Sequence, residues 1–203
     1  MRQQPMFQTC QPLILASSSP RRIQLLSQFG LVFEAVPATI NETPLPGEMP
    51  KKFVRRMAES KAYDVAQHHP HKWTVGADTL ITLDGRVILG KPENQDDALS
   101  ILQQLSGNTH QVMTGLCLCR LDKKIIETQV ESTQVTFIDA SDELLQAYIA
   151  TGEPMDKAGA YGIQGLGSIL VREIKGSCSN VIGLPLSSLI SLLMKYKIIA
   201  PAA

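Results

Sequence analysis

Along this chain the hydrophobic period switches repeatedly between that of a strand and that of a helix. Leu13-Ile-Leu-Ala16 is an apolar run of strand length, followed at once by Ser17-Ser-Ser-Pro-Arg-Arg22 and then by Ile23, Leu25, Leu26 and Phe29. The spacing predicts a strand, a tight loop and a helix, with Ser19 as N-cap, Pro20 as first helical residue and Gly30 as the stop. A second strand is expected from Val32 to Val36, a loop from Pro37 to Met49, and a long helix from Pro50 to about His69. Trp73 to Ala77 is strand-like, and Asp84-Gly85 between two apolar runs signals a two-residue hairpin turn. Asn94 with Asp97 opens a helix ending near Gly107, and strands from about His110 to Leu121 and Ile125 to Ile138 flank a polar turn. A Ser141-capped helix to Ile149, a glycine-rich stretch, a strand from Ser168 to Ile174 and a helix opened by Pro185 complete the chain.

Strands alternate with helices at both ends while hairpins fill the middle. An α/β mixed sheet flanked by helices is therefore expected rather than a purely parallel one. The 203 residues, with no internal repeat, fit one domain of two lobes around a single cleft, and residues 1–12 form a polar extension.

Lys plus Arg equals Asp plus Glu at 19 each, so there is no bulk positive field to hold nucleic acid. The amino terminus has no apolar h-region and no run reaches membrane-span length, which points to a cytoplasmic location and no membrane partner. Cys10, Cys117, Cys119 and Cys178 match neither a redox nor a zinc spacing, and Cys117 and Cys119 are expected as reduced core residues on one strand face. His68, His69, His71 and His110 show no ligand spacing and are expected at the surface.

Chemistry concentrates in a few segments. Ser17-Ser-Ser-Pro-Arg-Arg22 adds three hydroxyls and two guanidinium groups to a helix N-terminus, which suits a phosphate, although the same hexapeptide also serves as an ordinary Ser-Pro cap. No G-x-x-x-x-G-K-[ST] occurs, so a P-loop is disfavoured. Lys61 falls inside the apolar stripe of Val54, Met57, Ala58, Ala62 and Val65, where it must either snorkel or meet an anion. Gly76-Ala-Asp78-Thr79 sets a carboxylate at a strand end, Lys91 follows the hairpin, and Glu42 adds an acid in a loop. Hydrolysing a polyphosphate needs cations to offset phosphate charge and a base or metal to activate water, and these groups could supply both. The segment Asp156 to Gly165 holds three glycines around a lysine, a tyrosine and Gln164. Such a segment is either a structural connection or a loop that wraps a ligand, with Gln164 able to read a base edge.

Taken in order, Ser17 to Arg22, Glu42-Thr43-Pro44, Glu59-Ser-Lys61-Ala62, Gly76-Ala-Asp-Thr79, Gly90-Lys-Pro92, Leu105-Ser-Gly107, Asp156 to Gly162 and Gly183-Leu-Pro185 resemble the Maf family across nearly the whole chain. The resemblance implies a Maf-like (ITPase-like) fold with a central nucleotide-binding cleft. It also implies a divalent cation, Mg2+ or Mn2+, and attack by water at the α-phosphate of a nucleoside triphosphate to release pyrophosphate. Asp78 matches the family's proton acceptor. Glu42, Lys61 and Lys91 match its other essential polar positions, with Asp78 and Glu42 as expected metal ligands. Ser17, Ser19, Arg21, Arg22, Thr79 and Gln164 are expected to bind substrate, with Arg21, Thr79 and Gln164 at the positions tied to substrate choice. The intact Asp156 to Gly165 loop is similar to the branch acting on dTTP and UTP. A non-catalytic nucleotide sensor in septum formation is the alternative that the family's naming suggests, and a homodimer is left open.

Overall fold

The computed structural model describes residues 5–202. Its main sheet runs in the order β3 (Glu34–Ala35), β2 (Leu13–Ala16), β4 (Trp73–Thr82), β6 (Thr109–Arg120), β7 (Ile125–Phe137) and β8 (Val171–Lys175), with β5 (Ile88–Leu89) pairing on β4. The β2 strand is parallel to both β3 and β4, whereas β4 through β8 are antiparallel, so the sheet is mixed. The helices are α1 (Pro20–Ser27), α2 (Pro50–His68), α3 (Gln95–Leu105), α4 (Asp142–Ala150), α5 (Cys178–Ile182) and α6 (Leu186–Lys195). A second, two-stranded sheet pairs β1 (Phe7–Thr9) with β9 (Ile199–Pro201), which ties the polar segment ahead of Leu13 to the far end of the chain.

Local chemistry accounts for the helix boundaries. The Asn94 side chain accepts from the Asp97 N–H and the Asp97 carboxylate accepts from the Glu93 N–H, a reciprocal cap on α3. Ser141 caps α4 through the Leu144 N–H, and Pro20 and Pro50 open α1 and α2 where no N–H is needed. Ser19 has the N-cap backbone but makes no side-chain cap bond.

Four expectations are corrected. The strand expected from Val32 to Val36 shortens to Glu34–Ala35, because the Val32 N–H goes to the Thr9 hydroxyl rather than to a ladder. The hairpin turn spans residues 83–87 instead of two, because Asp84 Oδ1 accepts from both Arg86 and Val87 N–H groups and closes a wider loop. The strand expected at Ser168 begins only at Val171, after a 3-10 turn over Leu166–Leu170. The short helix α5 has no apolar period and was not signalled.

Apolar residues collect on both faces of the sheet, two clusters on the face that carries Val75, Ala77 and Ile81 and the rest against α2 on the other. One cluster joins α1, α6 and β1 to Leu13, Leu15, Trp73, Val75 and Ala77. Another joins α3 and α4 to Ile81, Val112, Val135 and Phe137. Cys117 and Cys119 are buried free thiols beside Ala58, Ala62 and Ala66 of α2, as their strand alternation implied.

His110 is the fourth correction: it is fully buried, not at the surface. Its ring packs edge-on to Phe137 and Tyr161, and its Nε2 lies 2.9 Å from the Tyr161 hydroxyl. Burial lowers its pKa to about 4. The unfolded chain therefore binds this proton near pH 6.5 while the folded chain resists it, so stability is full above that pH and is lost as pH falls toward 4. Denaturant titrations should show about 2 kcal/mol less stability at pH 5 than at pH 7 from this group. His110→Gln should remove most of that difference, and an undiminished difference in the variant would contradict the assignment.

Candidate active site

The site begins with a gap in the sheet. On one edge of β4, residues 73–76 pair with β2 and residues 81–82 pair with β5, while the other edge pairs with β6 throughout. The stretch from Ala77 to Leu80 thus has an unpaired edge on the β2 side, past the carboxyl end of β2, where open α/β sheets usually bind ligands. A cavity of about 710 Å³ fills this gap and reaches both faces of β4.

Strand alternation decides which face each side chain meets. Gly76, Asp78 and Leu80 turn toward α2, and Thr79 turns toward α1 and α5. A methyl at Gly76 would run into the Ala58 carbonyl and the Ala62 backbone, and one at Gly115 would run into the Val54 carbonyl. These two glycines, with the alanine face of α2, let the helix lie close on the sheet and bring Lys61 within reach of β4.

Lys61 Nζ donates to Asp78 Oδ1 at 2.7 Å and lies 3.0 Å from Glu42 Oε1. The lysine side chain is only 12% exposed, so it does not snorkel to solvent. Glu42 stands in the long loop after β3, which α2 holds at both ends. The Thr39 N–H donates to Asp64. Arg56 binds Glu48 through two bonds and also donates to the Thr43 carbonyl. The Arg56 bond holds the Glu48 carboxyl down at about 2. Burial pushes the Asp78 carboxyl above its ordinary range, although Lys61 and Arg22 pull it down. Burial is the largest of these effects, and the neighbouring Glu42 carboxylate pushes in the same direction.

On the other face, Arg22 Nε donates to the Gly183 carbonyl at 2.8 Å and Nη2 donates to the Thr79 hydroxyl at 3.0 Å. Thr79 Oγ1 also meets Thr114 Oγ1 at 2.9 Å, and Thr114 in turn donates to the Asn180 carbonyl. The Thr79 hydroxyl is therefore occupied in orienting Arg22. Arg21 pairs with Asp156 across the cavity mouth at 3.2 Å, with both groups substantially exposed. Ser17, Ser19, Lys91 and Gln164 all line the same cavity. Ser17 is buried beneath the loop, and its hydroxyl accepts from the Ser19 N–H. The uncapped first turn of α1 faces the same space, as a phosphate would require.

Every residue expected at the site thus lines one cavity. Among the described residues, no group of three or more His, Cys, Asp or Glu is placed to hold a metal. Among those residues, too, no helix is long and apolar enough to cross a membrane. The family described as Maf-like protein matches residues 12–196.

The chain belongs to the Maf-like proteins.

It is 46% identical over 195 residues to a dTTP/UTP pyrophosphatase of Desulfotalea psychrophila, covering 96% of this chain and 100% of that one. It is 50% identical over 190 residues to a dTTP/UTP pyrophosphatase of Nitratidesulfovibrio vulgaris, covering 93% and 90%. The solved Staphylococcus aureus Ham1 protein aligns with a TM-score of 0.55 at 13% identity, over 92% of this chain and 97% of that one, a likeness of fold alone.

This Maf-like cavity also draws on groups beyond the expected site residues. Glu153, Lys157 and Tyr161 line it, and the Gly183 carbonyl and Thr114 orient Arg22 from behind. Asp156 and Lys157 stand in the glycine-rich motif, but no local pattern marks Glu153 or Thr114, whose roles arise only when distant segments meet.

The close seat of α2 has a direct test. Gly76→Ala and Gly115→Ala should each lower the unfolding free energy by about 1–3 kcal/mol, the usual cost of overpacking against backbone. Gly90→Ala, where a methyl meets open space, should change it by less than about 0.5 kcal/mol. Equal stability of all three variants in urea titrations would contradict the packing described.

Proposed function

We propose that this chain is a nucleoside triphosphate pyrophosphatase that hydrolyses dTTP and UTP to the monophosphate and pyrophosphate. The observation that carries the reading is the largely buried Asp78–Lys61 pair, joined by the more exposed Glu42, in a cavity whose walls are the α1 N-terminus, Arg21, Arg22 and Lys91. The printed names of the relatives, at 46% and 50% identity over most of both chains, support the same reading.

In this reading the triphosphate lies along the cationic wall. The first-turn N–H groups of α1 and the Ser17 and Ser19 hydroxyls face its oxygens, and Arg21, Arg22 and Lys91 offset their charge. Asp78 takes the proton of the water that attacks the α-phosphate, with the pyrophosphate as leaving group. A carboxyl whose basicity is raised by burial is better suited to that task than an exposed one. Lys61 fixes the rotamers of Asp78 and Glu42 and keeps the two carboxylates together. Asp78 and Glu42 fit a divalent cation of the Mg2+ type, which protein sites often hold by one or two carboxylates, with substrate phosphates supplying further oxygens. When bound there, Mg2+ or Mn2+ would neutralise phosphate charge and acidify water. Gln164, exposed at the cavity rim, reads the base: its amide can donate to a carbonyl and accept from the imide N–H of thymine or uracil.

Asp78→Asn keeps the shape and removes the charge, and turnover should fall by about 10²-fold or more. A folded Asp78→Asn protein with near wild-type pyrophosphate release would contradict the assignment of the base. Specificity is checked with a panel of the common triphosphates and added Mg2+ or Mn2+. dTTP and UTP should be hydrolysed best. CTP should be slower, since a mispaired buried group costs about 1–3 kcal/mol, and purine triphosphates should be poor substrates. Binding without turnover of any of them would sink the enzymatic reading.

A further inference from the structure

The glycines of the loop that carries Gln164 face three side chains beneath it, Glu153, Tyr148 and Lys157. Glu153 Oε1 accepts from the Tyr148 hydroxyl at 3.0 Å and from the Gly167 N–H at 3.1 Å, and Oε2 accepts from the Leu166 N–H at 2.8 Å. The Tyr148 hydroxyl accepts in turn from the Gly162 N–H at 3.2 Å. Lys157 Nζ donates to the Glu153 carbonyl at 2.6 Å, which fixes the backbone below the carboxylate. One Glu–Tyr pair therefore holds both feet of the 162–167 loop.

The glycine spacing follows that pair together with Lys157. A methyl at Gly165 would lie 2.6 Å from Glu153 Cδ, one at Gly167 2.9 Å from Tyr148 Cζ, and one at Gly162 2.7 Å from Lys157 Cε. None of the three has a positive φ, so a side chain there would displace Lys157, Glu153 or Tyr148 instead of straining the backbone. Burial raises the Glu153 carboxyl, but the two N–H groups and the Tyr148 hydroxyl outweigh it and hold the pKa below its usual value. Between the held feet, Gln164 is exposed at the cavity rim.

We infer that Glu153, together with Tyr148, is a positioning residue that sets base selectivity by holding Gln164 at a fixed place over the cavity. A free loop of this glycine content would lose its ordering entropy on every binding event, whereas a loop already held presents the amide preorganised. The pyrimidine is taken from the proposed function, while the Glu153–Tyr148 clamp stands on the contacts alone.

The test uses the full chain and the product monophosphates, so that it does not depend on turnover. Glu153→Gln replaces one acceptor oxygen with an amino group facing N–H donors or a hydroxyl. Amide hydrogen exchange should speed up at Leu166 and Gly167 and stay unchanged in β4 and α2. The ratio of affinities for dTMP over dCMP, read by titration calorimetry, should fall by about tenfold from its wild-type value, with dTMP losing most. Tyr148→Phe, which keeps the bonds from Leu166 and Gly167, should give a smaller shift in the same direction, and it carries both readouts if Glu153→Gln fails to fold. Unchanged exchange at the loop, a parallel loss for both nucleotides, or a wild-type ratio near one would overturn the inference. Loop exchange and selectivity that respond as described in a protein without turnover would uphold the clamp and reject the pyrophosphatase reading alone.

Discussion

The structure depends on one buried ammonium. Lys61 lies in the apolar face of α2 with 12% of its side chain exposed, between the carboxylates of Asp78 and Glu42. An unpaired charge at such a depth is costly, and leaving one by removing a partner from a buried ion pair typically destabilises by about 3–5 kcal/mol. The surrounding sequence reads as a set of conditions that keep the pair together. Gly76, Gly115 and the alanines at 58, 62 and 66 seat α2 close to the sheet. Asp64 and Arg56, from the exposed side of the same helix, hold the loop that brings Glu42 back. Burial leaves Asp78 a stronger base than a surface carboxylate, so the same packing that stabilises the fold also tunes the site.

The second constraint is the interrupted edge of β4. Because β2 ends at Ala16 and β5 begins two strand positions after Thr79, the chain leaves a gap where Asp78 can face one side and Thr79 the other. A continuous ladder would have buried both side chains in separate layers. Here a single cavity reaches the Lys61 group through one face and the Arg22 group through the other, joining a place for chemistry to a place for phosphate.

Much of this was legible in the sequence, because the informative signals are local. Pro20 and Pro50, the Asn94–Asp97 cap and the alternation through Cys117 and Cys119 each depend on residues within one element. The mixed sheet follows from the order of those elements. The motif residues Ser17 to Arg22, Asp78, Lys61, Lys91 and Gln164 do line one cavity. What escaped were partnerships between distant segments. His110 reads as a surface histidine until Tyr161 and Phe137 close over it. Thr79 lines the cavity as expected, but the sequence does not reveal that its hydroxyl is shared among Arg22, Thr114 and Gly183. Gly162 and Gly165 of the Asp156 to Gly165 segment read as room for a ligand, and beneath them lie Lys157 and Glu153. The turn at residues 83–87 widened because one Asp side chain captured two N–H groups, a choice that the Asp-Gly pair alone does not determine.

The central claim is that the Asp78–Lys61–Glu42 group directs water at the α-phosphate. Hydrolysis of dTTP in water enriched in oxygen-18, followed by mass spectrometry of both products, tests it most directly. The account predicts one labelled oxygen in dTMP and none in the pyrophosphate. Label in the pyrophosphate, or release of orthophosphate in place of pyrophosphate, would contradict it.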